Sequence, residues 1–260
     1  MSSNLAQIKT LLEKYNLAPR KTLGQTFLID QNIIDNLIKA VKIEQGDAVL
    51  EIGPGLGTIT KTLSENCKKI IAVEKDEKFT EILRDLQIKN VEIVEADILN
   101  YIKQNDISKY KIVANIPYRL TTFLIRNLLE NANQPKEIYL IIQREAAERI
   151  CAKEKKNILA LSVQYYATPE LCFKISKNSF WPKPKVESAL IKIIPSKKYS
   201  EEDKIFFQLI KMGFSSPRKK LINNLTGNYK KAFLKTELNE NIRAEDLKLE
   251  DWKKIIQEID

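Results

Sequence analysis

Read from the amino terminus, apolar positions first recur at helical spacing. Residues 1–17, MSSNLAQIKTLLEKYNL, read as an amphipathic helix. The stretch Ala18 to Leu28 breaks that spacing and reads as a loop. A second amphipathic helix runs from Asp30 to about Val41, with Ile33, Ile34, Leu37, Ile38 and Val41 on one stripe. From Ala48 the pattern changes, and short apolar runs alternate with helical stretches. Strands are expected at Ala48–Ile52, Ile70–Glu74, Val91–Glu95, Lys111–Asn115 and Glu137–Ile142. Helices are expected at Thr58–Glu65, Asp76–Leu86, Thr121–Leu129 and Arg144–Cys151. Apolar strands separated by helices with short connections predict an α/β fold, a parallel doubly wound sheet covered on both faces.

The alternation stops near residue 157. Ile158–Tyr166 reads as helix, and Leu171–Ile175 with Ser188–Ile194 as a closing strand pair. Between them lies a proline-rich turn, Phe180-Trp-Pro-Lys-Pro-Lys185. The polar segment Pro195 to Asp203 reads as a linker. It places a boundary near residue 198, between a larger unit (1–198) and a small helical one (199–260).

Composition adds limits. The chain has 260 residues, 43% hydrophobic and 30% charged, which fits neither disorder nor a membrane protein. No apolar run approaches the roughly 20 residues that span a bilayer. The start carries scattered Lys and Glu and no small-residue cleavage site, unlike a signal peptide. Three cysteines (Cys67, Cys151, Cys172) without metal-like spacing suggest reduced thiols, hence a cytoplasmic protein. The net charge of +9 and pI of about 9.2 favour polyanionic partners. With no histidine anywhere, Ser-His-Asp and Cys-His chemistry, His-ligated zinc and histidine general bases are all excluded. No metal is expected.

The strongest local feature is Val49-Leu-Glu-Ile-Gly-Pro-Gly-Leu-Gly-Thr58, an apolar strand that ends in glycines and runs into a helix. Glycines suit a sharp turn whose backbone must approach a ligand. The spacing is not that of a dinucleotide site, and Pro54 lacks the N–H a pyrophosphate would use. Glu51, just before the loop, suits a cationic ligand better than a phosphate. Two later acids stand at the next strand ends: Glu74, placed to accept ribose hydroxyls, and Asp97, placed to accept an adenine amino group with Ile98 against the ring. An acid of this kind on its own is more often a helix cap or a solvated loop charge. Together, on one sheet edge, they predict an adenosyl pocket without a pyrophosphate site.

The fourth strand ends in Asn115-Ile-Pro-Tyr118. It resembles the Asn/Asp-Pro-Pro-Tyr signature of enzymes that methylate exocyclic amines of bases. An adenine amine is a poor nucleophile because its lone pair is delocalised into the ring. The Asn115 side-chain oxygen and the Ile116 carbonyl can each accept one N–H and draw that nitrogen toward sp³. Pro117 fixes the turn. Tyr118 offers a stacking face to a flipped-out base, worth roughly 1–3 kcal/mol. Phe180 is the candidate second stacking face, with a hydrophobic plug as its alternative. Trp181 reads as packing. An activated methyl sulfonium needs positioning more than a strong base, which suits a chain without histidine.

Read together, these segments resemble the ribosomal RNA adenine N6-dimethyltransferase family, which includes the small-subunit (16S rRNA) dimethyladenosine transferases and the erythromycin-resistance enzymes. The matching pieces are Leu23-Gly-Gln-Thr-Phe-Leu-Ile-Asp30, Glu51-Ile-Gly-Pro-Gly-Leu-Gly57, Val73-Glu74, Glu95-Ala-Asp97 and Asn115-Ile-Pro-Tyr118. Further on come Gln143-Arg-Glu145, Phe180-x-Pro-x-Pro-Lys-Val186 and Phe214…Arg218-Lys-Lys-Leu221. They run in family order over about four-fifths of the chain. The resemblance implies a Rossmann-like class I methyltransferase sheet, mostly parallel with one antiparallel strand, and a small all-α C-terminal domain. S-adenosyl-L-methionine is the implied cofactor. Gln25, Thr26 and Leu28 would line its methionine end, Gly53 and Gly55 its backbone side, Glu74 the ribose, and Asp97 with Ile98 the adenine. Asn115 would stand between cofactor and target amine. The small-subunit branch implies dimethylation of two adjacent adenosines in the 3′-terminal hairpin of 16S rRNA, in small-subunit biogenesis. Arg218, Lys219 and Lys220 would dock RNA, against the alternative of a solvated helix face. A monomer is expected. One departure stands out: the family usually has Asn or His where this chain has Thr26.

Rival functions fit less well. The large-subunit resistance enzymes share the core motifs, but Gly-Gln-Thr-Phe-Leu, Phe-Trp-Pro-Lys-Pro-Lys-Val and the Arg-Lys-Lys segment favour the small-subunit branch. A binding factor that had lost the chemistry could dispense with Glu74, Asp97 or Asn115, all of which are present. A DNA adenine methyltransferase would need a target-recognition insertion, for which the motifs leave no room.

Overall fold

Side-chain alternation along the central strands decides how the layers assemble. The structure is a computed structural model that describes residues 3–20 and 24–259; Lys21, Thr22 and Leu23 of the expected loop, and residues 1 and 2 of the expected first helix, lie outside the described residues. A seven-stranded sheet contains β2 (Ala48–Ile52), β3 (Lys69–Glu74), β4 (Val91–Glu95), β5 (Tyr110–Asn115), β6 (Glu137–Gln143), β7 (Ala167–Ile175) and β9 (Ser188–Pro195). Their order is β4-β3-β2-β5-β6-β9-β7. The first five are parallel and β9 runs antiparallel to both β6 and β7. The α/β class expected from the sequence is the observed one.

Two cores lie on the two faces. Leu50, Ile52, Ile112, Ala114, Ile138, Leu140 and Ile142 point to one face, with Ile102, Leu124 and Ile150. These last come from α5 (Ile98–Gln104), α6 (Thr121–Leu129) and α7 (Arg144–Ile150). Val49, Val113, Tyr139, Ile141 and Leu190 point to the other, against Ile34 and Leu37 of α2 (Gln31–Val41) and Ile59 and Leu63 of α3 (Thr58–Ser64). Burial of each such aliphatic side chain contributes about 1.5–3 kcal/mol. Helix starts follow capping chemistry: Asp30, Asp97 and Asn157 cap α2, α5 and α8 (Ile158–Tyr166), and Asp76 caps α4 (Glu77–Asp85).

The differences from the sequence reading have physical causes. The expected loop ends in a two-residue strand, β1 (Phe27–Leu28), paired with β8 (Phe180–Trp181). Two residues carry no readable period. β7 starts four residues earlier than expected, because Pro169 sits in an edge strand, where a missing N–H is tolerated. The linker after β9 is tied down. The buried Asp203 carboxylate accepts from Tyr165 Oη at 2.8 Å and Ser200 N at 2.9 Å, and also pairs with Lys197. α1 (Ser3–Lys14) packs Ile8 and Leu12 with Phe27, Phe79 and Ile82.

The C-terminal helices α9 (Asp203–Gly213), α10 (Gly227–Lys235) and α11 (Leu249–Gln257) enclose a third core around Phe206, Phe233 and Trp252, to which Leu161 of α8 contributes. No helix among the described residues is long and apolar enough to cross a membrane. At Gly213 an added Cβ would lie 2.5 Å from Trp252 Cη2 and 2.9 Å from Leu221 Cδ1. Gly213→Ala is therefore expected to destabilise the fold by about 1–3 kcal/mol in urea unfolding, through overpacking. Gly46→Ala, whose Cβ meets nothing within 4 Å, is the control. Equal midpoints would disprove the tight helix crossing.

Candidate active site

β2 and β5 are neighbours in space but not in sequence, and at such a reversal a crevice opens beyond the strand ends. The register pairs Ile52 with Ala114. Gly53 and Asn115, one residue further on each strand, therefore face each other across the crevice. Gly53 (φ 66°) and Gly55 (φ 58°) hold the left-handed backbone that an L side chain resists, so the turn after β2 requires glycine.

One cleft is lined by Gln25, Thr26, Leu28, Gly53, Gly55, Glu74 and Asn115, with Glu51, Phe27, Ile116 and Pro117. An adjoining cleft shares Gly53 and Glu74 and adds Asp97 and Ile98. All the cofactor positions expected from the sequence thus meet in one continuous place. Glu74 Oε1 accepts from Lys75 N at 2.8 Å and Asp76 N at 3.0 Å, and Oε2 accepts from Gly55 N at 3.2 Å. Burial pushes this carboxyl above its ordinary value, and the three N–H groups oppose the shift. Asp97 differs. The Lys75 ammonium at 2.9 Å, helped by the N–H of Leu99, holds it below the usual range.

Glu51 is the electrostatic anomaly. It is 2% exposed, and its Oε2 has no hydrogen-bond partner among the described residues. Burial pushes its carboxyl up to about 8, helped by nearby Glu74 and offset in part by the Thr60 hydroxyl. A buried carboxyl with a spare oxygen, beside a second carboxylate, suits a positively charged ligand. Backbone turns for close approach, Glu74 for a diol, Asp97 and Ile98 for an aminopurine and Glu51 for positive charge together fit S-adenosylmethionine.

Asn115 ends β5. Its Nδ2 donates to the Thr26 carbonyl at 3.4 Å. That bond leaves Oδ1 without a donor among the described residues, and the Ile116 carbonyl oxygen is likewise free. Two acceptors thus stand together in the cleft. Because Thr26 works through its backbone here, the departure at this position leaves the orientation of Asn115 intact.

A second cleft adjoins through Gly24, Gln25 and Thr26, and is lined by Tyr118, Gln143, Trp181, Lys183 and Lys185. Tyr118 Oη and Ser188 Oγ lie 2.6 Å apart, and Ser188 is fully buried. Ser188 belongs to none of the sequence motifs; its signal is a lone hydroxyl at the head of an apolar strand. Phe180 is placed as the hydrophobic plug rather than as the second stacking face. It pairs with Leu28 and packs in the core at 2% exposure, so its ring is not presented to the cleft. Alternation along β8 turns Trp181 to the other side, where it joins Phe27 and borders the second cleft. Arg218, Lys219 and Lys220 stand apart from both clefts. They are exposed on a turn between α9 and Leu221 rather than on a helix, and Lys220 reaches Asn241 Oδ1.

A mostly parallel doubly wound sheet with this pocket at its reversal defines a Rossmann-like, S-adenosylmethionine-dependent methyltransferase. Residues 16–260 match the family model described as "Ribosomal RNA adenine dimethylase". A protein of Alkaliphilus oremlandii (strain OhILAs) named "Ribosomal RNA small subunit methyltransferase A" is 35% identical, covering 96% of this chain and 95% of the relative. One of the same name from Dehalococcoides mccartyi (strain CBDB1) is 36% identical, over 98% of this chain and 94% of the relative. The crystal structure of a dimethyladenosine transferase from Plasmodium falciparum is similar with a TM-score of 0.68 and 25% identity, covering 87% of this chain and 94% of that one. That of the 23S rRNA methyltransferase ErmE reaches 0.70 at 20% identity, over 90% and 99%, a likeness of fold alone. The chain belongs to the ribosomal RNA adenine dimethylase family.

Glu51 gives a pH test. An ordinary glutamate ionises near 4.5 in the unfolded chain, whereas Glu51 holds its proton to about 8 when folded. Between those values the unfolded state binds fewer protons, so stability falls as pH rises from about 4.5 toward 8. Glu51→Gln is expected to flatten that part of the curve in urea titrations of the ligand-free protein. Parallel curves for the two proteins would refute the assignment.

Proposed function

We propose that this chain transfers methyl groups from S-adenosylmethionine to the N6 amines of two adjacent adenosines in the 3′-terminal hairpin of small-subunit (16S) ribosomal RNA, in small-subunit biogenesis. The observation that carries the chemistry is the Asn115 amide, turned by the Thr26 carbonyl so that Oδ1 and the Ile116 carbonyl are both open acceptors in the cleft. The names of the bacterial relatives support the small-subunit substrate.

Each residue then has a task. Glu74 accepts the ribose hydroxyls and Asp97 the adenine amine, with Ile98 against the ring. Lys75 is exposed and can swing away from Asp97 at little cost. Gln25, Thr26 and Leu28 wall the methionine end, and Gly53 and Gly55 let the backbone approach. When bound, S-adenosylmethionine supplies an electrophilic methyl group on a sulfonium. Asn115 and Ile116 each accept one N–H of the target amine, which raises its sp³ character and aims its lone pair. Once methylated, the nitrogen carries a positive charge and sheds one proton to water, which leaves one N–H for one of these acceptors, so a second round is geometrically open. Pro117 stiffens the turn, and Ser188 holds the Tyr118 ring for stacking. Trp181 replaces Phe180 as the opposite aromatic wall. Residues 199–260 form the docking unit, with Arg218, Lys219 and Lys220 as phosphate contacts. The protein acts as a cytoplasmic monomer.

The first experiment is transfer of labelled methyl groups to undermethylated small subunits, with large subunits and DNA alongside, followed by mapping. Dimethyladenosine in the 3′-terminal hairpin is expected. Label on the large subunit would overturn the substrate, and binding without label would overturn the chemistry. Asn115→Ala is expected to abolish transfer while sparing cofactor and RNA affinity; near-normal turnover would refute its role. Replacing Arg218, Lys219 and Lys220 by Ala should weaken subunit binding and flatten the plot of log affinity against log salt. The slope should fall by about 0.7–0.9 for each phosphate no longer neutralised. An unchanged slope would clear this turn of any part in phosphate binding.

A further inference from the structure

Asn115 and Ile116 read an amine, not a ring. Cytosine and guanine carry exocyclic amines too, so two acceptors do not by themselves choose adenine. Another polar group in the base cleft has to read the ring, and alternation along the strands locates one. Tyr139 and Ile141 of β6 share the sheet face of Val113 and Leu190, and parity puts Gln143, Asn115 and Ser188 on that same face. Asn115 pairs with Ile141, so Gln143 stands two residues nearer the open edge, about 7 Å along the strand. Gln143 in turn pairs with Ser188, whose hydroxyl holds Tyr118. It lines the second cleft together with Tyr118 and Trp181.

Local structure does not account for a glutamine at this position. Gln143 is the N-cap of α7, yet its side chain caps nothing, and caps favour Ser, Thr, Asp or Asn. Its carboxamide makes no hydrogen bond to any described residue. A half-buried amide with two free donors therefore borders the second cleft with the Tyr118 ring, diagonally across the β5–β6 ladder from Asn115.

We infer that Gln143 selects adenine by donating an Nε2–H to N7 of the target base. An N7 acceptor beside an amino group occurs together only on adenine: guanine pairs N7 with an oxygen, and cytosine has no acceptor on that side. With Asn115 and Ile116 on N6 and Gln143 on N7, the site reads that edge completely. The inference rests on the proposed base methylation.

The test measures kcat/KM for methyl transfer to target RNA carrying adenosine, 7-deazaadenosine or 1-deazaadenosine at the modified position. Loss of N7 should cost the wild-type protein about tenfold, and Gln143→Ala should cost about the same on adenosine. Combining the two should cost little more than either alone, since both remove the same hydrogen bond. Gln143→Glu turns an acceptor toward N7. It should fall below Gln143→Ala on adenosine and rise to its level on 7-deazaadenosine, a pattern that a purely structural role would not produce. S-adenosylmethionine affinity should be unchanged in both variants. Additive losses, indifference of the wild-type protein to 7-deazaadenosine, or sensitivity to 1-deazaadenosine alone would overturn the inference. A wild-type protein inactive on adenosine RNA would instead refute the proposed function, and the first arm of the assay reports that separately.

Discussion

The parallel pairing of β2 with β5 is the constraint on which the rest of the molecule depends, because it joins two segments that the chain keeps far apart. β3, β4 and their helices are wound to one side before the chain crosses back to lay β5 against β2. Right-handed crossovers leave no helix over the crevice at that reversal. The glycine turn after β2 and the asparagine at the end of β5 open into that one gap. With Ile52 opposite Ala114, the glycine loop and the two open oxygens of Asn115 and Ile116 lie side by side. A slip by one residue would turn Asn115 toward the opposite core.

Polarity within the gap is graded by how each acid is satisfied. Glu74 has three backbone donors and Asp97 has a lysine and a helix start, whereas Glu51 keeps an unpartnered oxygen in a buried setting. A low-dielectric site lined this way favours a ligand that brings its own positive charge. The protein can therefore manage without histidine. In the proposed reaction its polar groups position and accept, and none has to take a proton from a strong bond. The β1–β8 pair adds the second boundary: two short strands from distant parts of the chain meet between the clefts, with Phe27 lining the first and Trp181 bordering the second.

Much of this was legible in the sequence, and the reason is locality. The five parallel strands, the helices between them and the glycine turn obey periods of 2 and 3.6 and the chemistry of tight turns, all read within about a dozen residues. Glu74, Asp97 and Asn115 were readable because strand C-termini in such a fold share an edge, so their order along the chain already implies proximity. The pattern was silent wherever structure depends on a distant partner. β1 is two residues long and exists only through β8, and α5, with one buried apolar residue, Ile102, shows little stripe of its own.

Contiguous residues with a characteristic spacing were thus enough to encode the fold class, the glycine turn after β2 and the Asn115-Ile-Pro-Tyr118 tetrapeptide that follows β5 into its crevice. The facing of individual side chains was settled later, by the assembled sheet. The pairing of Phe180 with Leu28 buries that ring and leaves Trp181 at the cleft; the Thr26 carbonyl turns the Asn115 amide; a serine on β9 holds Tyr118; and strand register brings Gln143 beside them. Each of these rests on residues far apart in the chain meeting in space, where a change of one position in pairing reverses the outcome. No local pattern carries that information.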